Sequence, residues 1–338
     1  MSPIRSTLAK SVAKLLSFAQ EADIDLVKGR GKGNAERRPS KWSASGGTKI
    51  ESGGYTYHVF TVDTPAPESS LVIDAIRTTK PAMVFAVGGG GSGGRDDGGG
   101  GGAGSAVLDP SITLGGEVTY AVTVGAGGAV VGNPSGQGGG NTELGSVLQA
   151  HGGAAGNKSR PADDNASGGF NGGSGGGGAY PQTYPFPKGD PDFLPPNATS
   201  YQNNGGAGGH PDAEGGGGGG AGGNGSNAHP GSGAGGPGRS FPEFPAPLIA
   251  PALPSPEQSN FTSAVGTPGL FAGGGGGGGR FGETSGGPGG GGPGGYPGRS
   301  TGTAGVYGTG SGGGGTGAGG GSGGAAGGSG ILIVRYST

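Results

Sequence analysis

The sequence predicts a protein of mostly irregular and β structure. Its expected parts are an N-terminal amphipathic helix, a small β-sandwich-like module and a glycine-rich bundle of polyproline-II or polyglycine-II helices. Glycine supplies 96 of the 338 residues and proline 27, a content typical of low-complexity chains. Only 29% of the residues are hydrophobic, and they concentrate in 4–26, 55–87, 106–131 and 331–336. A conventional core must come from these stretches, and the remaining chain needs another way of packing or stays disordered.

Residues 1–45 are predicted to form a helical and basic attachment arm. Residues 1–41 hold nine Lys and Arg against four Asp and Glu, whereas the whole chain has a net charge of −2. Apolar residues recur at helical spacing over 3–26, and such a helix alone is marginal in water. We expect it to pack on another chain; packing on its own body or lying on a membrane surface are the alternatives. The candidate anchoring residues are Ile4, Leu8, Val12, Leu15, Leu16, Arg37 and Arg38.

Residues 46–87 carry the signals of a β module. Apolar and β-branched residues fill 55–62, 71–76 and 82–87, as in strands. A hairpin is expected at 112–124, with Gly115 and Gly116 in its turn. The segment 331–336 (ILIVRY) is an abrupt apolar strand near the end of the chain, and exposed it would promote aggregation. We therefore expect 331–338 to pair with the strands of 55–87 and complete the module.

Residues 88–330 form the glycine-rich module, for which two states compete. A flexible coil is the default for such a composition, because glycine loses much backbone entropy on ordering. Recurrent aromatic residues, prolines and single charges are unusual in flexible linkers. They favour a bundle of extended polyglycine-II helices that exchange backbone hydrogen bonds, which satisfies the backbone without a hydrophobic core.

Two stretches rich in proline and aromatic residues interrupt the glycine runs, at 180–201 and 239–261. Aromatic rings suit recognition of a surface glycan or protein, because they present an apolar face and, in tyrosine, a polar group. The alternative is that these rings pack on one another and cover the ends of the bundle. The candidate receptor-binding residues are Tyr180, Tyr184, Phe186, Phe193, Tyr201, Phe241, Phe244 and Phe261.

The segments GGYTYHVFT (53–61), MVFAVGGGGSGG (83–94), YAVTVGAGG (120–128) and GGSGILIVRY (327–336) resemble glycine-rich proteins of phage virions, including tail-fibre and adhesin-like proteins. The start, SPIRSTLAKSVAKLL (2–16), is similar to the N-terminal arm of virion proteins of marine phages that infect cyanobacteria. The resemblance implies a virion location in the tail or on the capsid, other virion proteins as partners, a homo-oligomer, and a host-contacting function. The alternatives are a capsid decoration or other passive virion part, and an ice-binding or extracellular glycine-rich protein.

The sequence offers no motif that carries catalytic chemistry, and we expect a protein that is not an enzyme and has no cofactor. The G-x-G-x-x-G matches lack the strand-to-helix context of a dinucleotide site, and there is no phosphate-binding loop. Asp96 and Asp97 are interpreted as solvated loop carboxylates, with a structural calcium site as the alternative, and no metal is expected. No nucleic-acid binding is expected, because a basic groove with interleaved aromatics is missing. Lys10 and Lys14 interrupt the only candidate signal sequence, and no apolar stretch is long enough to insert into a membrane.

Overall fold

The computed structural model describes residues 43–338 except 74–80, 116–117, 131–135, 159–172, 180–186, 190–192, 210–213, 229–230, 281, 298–300 and 320–322. The helix and the basic segment predicted within 1–45, with all seven candidate anchoring residues, therefore lie outside the described residues. The same holds for Tyr180, Tyr184 and Phe186.

The described residues form strands, two short helices and long extended segments. The strands are β1 (Ala44–Ser45), β2 (Thr48–Ser52), β3 (Tyr55–Phe60), β4 (Ser70–Ile73), β5 (Pro81–Val87), β6 (Ala106–Thr113), β7 (Thr119–Thr123), β8 (Thr142–Leu144), β9 (Leu148–Ala150), β10 (Thr199–Tyr201), β11 (Arg239–Ser240), β12 (Leu270–Phe271) and β13 (Ile331–Ser337). The helices are α1 (Ala246–Ile249) and α2 (Gln258–Val265), and the 3₁₀ turns are Ala250–Ala252 and Ser255–Glu257.

A six-stranded antiparallel sheet has the order β10-β6-β5-β13-β3-β2. The last strand, β13, lies between β3 and β5, and Ile333 is in register with Val59 on one side and Phe85 on the other. The pairing predicted for the terminal strand is confirmed. The end of the chain thus completes a sheet that begins near residue 48.

A five-stranded sheet, of order β1-β4-β7-β8-β9, packs against one face of the first. The hairpin predicted at 112–124 is wrong, because β6 pairs with β5 and β10 whereas β7 pairs with β4 and β8. The chain therefore passes from one sheet to the other between Thr113 and Thr119. A glycine pair allows a turn there, but it does not dictate which strand becomes the partner.

Both faces of β13 are buried, which explains its continuous apolar sequence. Leu332 and Val334 face the second sheet and pack with Leu71 and Leu144. Ile331 and Ile333 face the opposite way, into a second core that includes aromatic residues of 239–272. The six-stranded sheet is therefore the middle layer between the second sheet and this insertion.

The glycine-rich region is an ordered lattice of extended segments. Within 88–94, every third N–H donates to the same neighbouring segment. The residue whose carbonyl accepts changes by three positions from one of these hydrogen bonds to the next. Gly88, Gly91 and Gly94 donate to the carbonyls of Ser105, Gly102 and Gly99, while the other positions donate to 137–140 and 325–328. A period of three residues is that of a polyglycine-II helix. The bundle predicted from sequence is confirmed for the extended glycine segments among the described residues of 88–330, and the flexible coil is wrong there. The strands β6 to β12 and both helices also lie in this range and are not part of the bundle.

Segments inside the lattice are surrounded on all sides. Residues 98–105 donate to 310–316, 151–157 and 216–219, and they accept from three further segments, 88–94, 174–177 and 275–278. Such close packing requires glycine: a Cβ added to Gly275 would overlap the Gly313 carbonyl, and one on Gly278 would overlap that of Thr316. The backbone groups are thus satisfied without a hydrophobic core.

The lattice and the sheets are continuous. The segment 88–94 extends directly from β5, 98–105 leads into β6, and 325–330 leads into β13. The turn at 95–97 therefore lies at the end of the lattice away from the sheets.

Candidate functional site

The insertion 239–272 is the first candidate site, because it contains three of the predicted receptor-binding residues. Phe241, Phe244 and Phe261 are at most 2% exposed. Phe85 of the sheet is at the centre of the cluster, with ring centroids 4.4 Å from Phe241 and 5.0 Å from Phe244. Phe271 connects this group to Phe261. These three rings fill a core, so the alternative of mutual packing describes them, and they do not lie at a recognition surface.

Two other predicted receptor-binding residues retain exposed surface. Phe193 is 53% exposed. Tyr201, on the edge strand β10, is half-buried; its ring packs against Phe241 and carries the guanidinium of Arg239 at 3.9 Å from its centroid. The structure therefore separates the predicted aromatic set into a buried group and a peripheral group.

A second aromatic surface, on the strands next to the insertion, was missed by sequence reasoning. The guanidinium carbon of Arg335 on β13 lies 3.7 Å from the ring centroid of Tyr55 and 5.9 Å from that of Tyr57, both on β3. Tyr55 is 37% exposed, whereas Tyr57 is buried. Burial raises the pKa of the Tyr57 phenol, Arg335 opposes this shift, and the charge of Glu243 in the insertion adds to it. The alternating pattern YTY could have indicated a shared face, but not its partner from the far end of the chain.

The end of the lattice away from the sheets is polar and charged. Asp96 and Asp97 both have a left-handed backbone, with φ of 52° and 51°. Asp97 is 4% exposed, and the Nε of Arg280 donates to its Oδ2 at 3.1 Å. Burial raises the pKa of Asp97, an effect that Arg280 opposes. The interpretation of Asp97 as a solvated carboxylate is wrong, because its side chain joins two turns inside the bundle end.

An open cleft of 330 Å³ lies near this end. Its lining consists of carboxylates, hydroxyls and small residues, namely Glu214, Gly231, Ser232, Ala234, Gly282, Glu283, Thr284 and Ser285. Ser232 Oγ donates to the carbonyl of Gly278, which fixes the cleft wall to the lattice. Within the part of the chain that the structure describes, no group of three or more His, Cys, Asp or Glu is arranged to hold a metal ion.

No helix among the described residues has the length and apolar character needed to cross a membrane. The side chains described above are stacked guanidinium groups, partly exposed aromatic rings and ion-paired carboxylates. Fold and surfaces together define a class of protein in which a rigid glycine lattice is fused to a β sandwich and presents turns and side chains.

A profile of the glycine-rich domain family matches residues 64–337, so this chain belongs to the glycine-rich domain family. The match covers both sheets in part, the insertion and the whole lattice. No curated protein matches the chain.

Proposed function

We propose that this chain is a structural protein of a bacteriophage particle, of the tail-fibre or adhesin type, that contacts the surface of the host cell. The main support is the continuity of the lattice with β5, β6 and β13, which holds the turn at 95–97 rigidly away from the sheets. Binding residues are commonly placed on turns that a rigid scaffold positions. The resemblance of 53–61, 83–94 and 327–336 to virion proteins supplies the particle context.

In this proposal, residues 1–42 attach the protein to other virion proteins, since 44–45 of the predicted arm form β1 of the second sheet. The folded body faces outward, in a homo-oligomer within the particle. The protein binds and does not catalyse, and it requires neither a cofactor nor nucleic acid.

The test has two parts. Antibody labelling of intact particles, viewed by electron microscopy, should place the protein at the tail or its fibres. Purified protein should bind host cells and compete with particles for adsorption, whereas heat-unfolded protein should not. Failure of the folded protein both to bind cells and to compete would contradict the host-contacting function.

A second candidate is a capsid decoration or other passive virion part. The burial of Phe241, Phe244 and Phe261 favours it, because these rings serve packing and leave fewer side chains for a receptor. This candidate predicts capsid labelling together with normal adsorption of particles that lack the protein.

A further inference from the structure

Arg335 occupies a distinctive position on the sheet. Ile331, Ile333 and Arg335 alternate along the face of β13 that the insertion covers, and the two isoleucines are fully buried. Arg335 is the third residue in this row, and it is half-buried. Its guanidinium stacks on Tyr55 at 3.7 Å, which restrains an otherwise flexible side chain.

The hydrogen-bonding capacity of Arg335 is largely unused. Nη1 donates to the Sδ of Met83 at 3.6 Å, a weak acceptor, and the Tyr57 phenol provides a further contact. Nε is buried without an acceptor. Among the described residues, no carboxylate lies within ion-pair distance of Arg335, although Arg95 and Arg280 pair with Asp96 and Asp97.

A stacked guanidinium of this kind suits a planar anion. Stacking uses the face of the guanidinium and leaves its N–H groups in the plane. Because Nε is buried, the end-on N–H groups of Nη1 and Nη2 are the pair that can donate to both oxygens of one carboxylate. Because Tyr55 already holds the side chain, less conformational entropy is lost when a ligand binds. The exposed part of Tyr55 offers a ring edge and a phenol beside that carboxylate, and the phenol can donate to or accept from the hydroxyl groups of a ligand.

We propose that Arg335 and Tyr55 form a binding site for the carboxylate of an acidic sugar unit in a surface polysaccharide. The combination of a guanidinium that binds a carboxylate with a phenol, which can donate to and accept from hydroxyl groups, favours a uronic acid over a simple anion. This inference rests on the proposed function, since it names the ligand that the host-contacting protein would recognise.

The experiment titrates the full chain with oligogalacturonate, using calorimetry or chemical-shift changes. The matched ligand control is the methyl-esterified oligomer, which has the same sugar rings without the charge. The matched variant is Arg239→Lys, because Arg239 also stacks on a tyrosine, Tyr201, at 3.9 Å on the other side of the insertion.

We expect oligogalacturonate to bind, and the methyl ester to bind at least tenfold more weakly. Arg335→Lys keeps the charge but removes the planar fork, so it should weaken binding by tenfold or more, and Arg239→Lys should leave it unchanged. Thermal unfolding of both variants near the wild-type temperature would show that the fold is intact.

Three outcomes would overturn the site: no binding of oligogalacturonate, equal binding of the ester, or equal binding by Arg335→Lys. Stronger binding of a poly-glutamate peptide than of the acidic sugar would replace the polysaccharide with a protein partner and also contradict the proposal. Competition for particle adsorption distinguishes the failure of this site from the failure of the proposed host-contacting function. Protein that competes for adsorption without binding acidic sugars would remove this site and leave the host-contacting function standing.

Discussion

At the scale of single residues, burial determines which of the aromatic side chains can take part in recognition. Phe85 lies between the strands and the insertion, and Phe241, Phe244 and Phe271 surround it at centroid distances of 4.4 to 5.0 Å. Rings at such distances pack favourably beyond the area that they bury. In contrast, Phe193 leaves half of its surface open to solvent. The same residue type therefore has two different roles here.

Replacing Phe244 with alanine should destabilise the protein by about 3–5 kcal/mol, because it removes a fully buried ring and leaves a cavity. Urea unfolding monitored by circular dichroism measures this change. Phe193→Ala is the matched control and should change the free energy of unfolding by less than about 0.5 kcal/mol. A Phe244→Ala variant as stable as the wild type would show that this ring is not part of a packed core.

We expect His58 to make the stability of the sheet depend on pH. It is buried; its Nδ1 lies 2.7 Å from the carbonyl of Gly46 and its Nε2 lies 3.1 Å from the Tyr336 hydroxyl. Burial lowers the pKa of His58 from 6.5, the hydrogen bond to Gly46 opposes this, and Lys49 adds to it. Below pH 6.5 the unfolded chain therefore binds more protons at this residue than the folded chain.

The contribution of His58 should be fully present above pH 6.5 and should be lost as the pH falls towards its lowered pKa, with a slope of at most about 1.4 kcal/mol per pH unit. Unfolding free energies at a series of pH values, compared between wild type and His58→Gln, measure this term. Identical slopes for the two proteins between pH 6.5 and 4.5 would contradict it.

At the scale of elements, the glycine lattice requires the absence of side chains. Seven successive amides, from Gly273 to Gly279, each donate a backbone hydrogen bond, and the acceptors belong to 289–295, 233–236 and 98–101. A Cβ in such a segment meets a neighbouring backbone. A glycine in a turn outside the lattice, such as Gly282, has no atom within 4 Å of an added Cβ.

Gly275→Ala should therefore destabilise the protein by about 1–3 kcal/mol or more, because the added methyl group overlaps the Gly313 carbonyl and forces segments apart. Gly282→Ala should be nearly silent. Thermal unfolding compares the two variants, and hydrogen exchange of 273–279 in the wild type provides a second measurement. Exchange at the rates of an unstructured chain would contradict the lattice.

How far the sequence predicts these elements depends on whether the signal is local. Composition and periodicity predict β3, β5, β13 and the glycine lattice, because each segment carries these signals by itself. They do not predict the partner of β7, because Gly115 favours a turn without selecting a sheet. Burial of Phe241 and contact of Arg335 with Tyr55 depend on segments far apart in the chain, so proline and aromatic content could not reveal them.

At the scale of the whole molecule, the last strand holds the layers together. β13 pairs with β3 and β5, its two faces contribute to both cores, and the preceding segment 325–330 belongs to the lattice. The described residues begin at 43, and the first strand, β1, pairs with β4.

Deleting residues 1–42 tests how this body relates to its predicted arm. The described hydrogen bonds and cores remain in the shortened chain, so we expect it to be soluble, with an unfolding temperature close to that of the full chain and intact binding to host cells.

If the basic segment attaches the protein to the virion, the shortened protein should be missing from particles assembled without the wild-type copy. Quantitative immunoblots of purified particles measure incorporation, and a variant that replaces only Arg37 and Arg38 with glutamate separates charge from helix packing. Normal incorporation of the shortened chain would contradict an attachment function for 1–42, whereas an unfolded product would show that the arm packs on its own body.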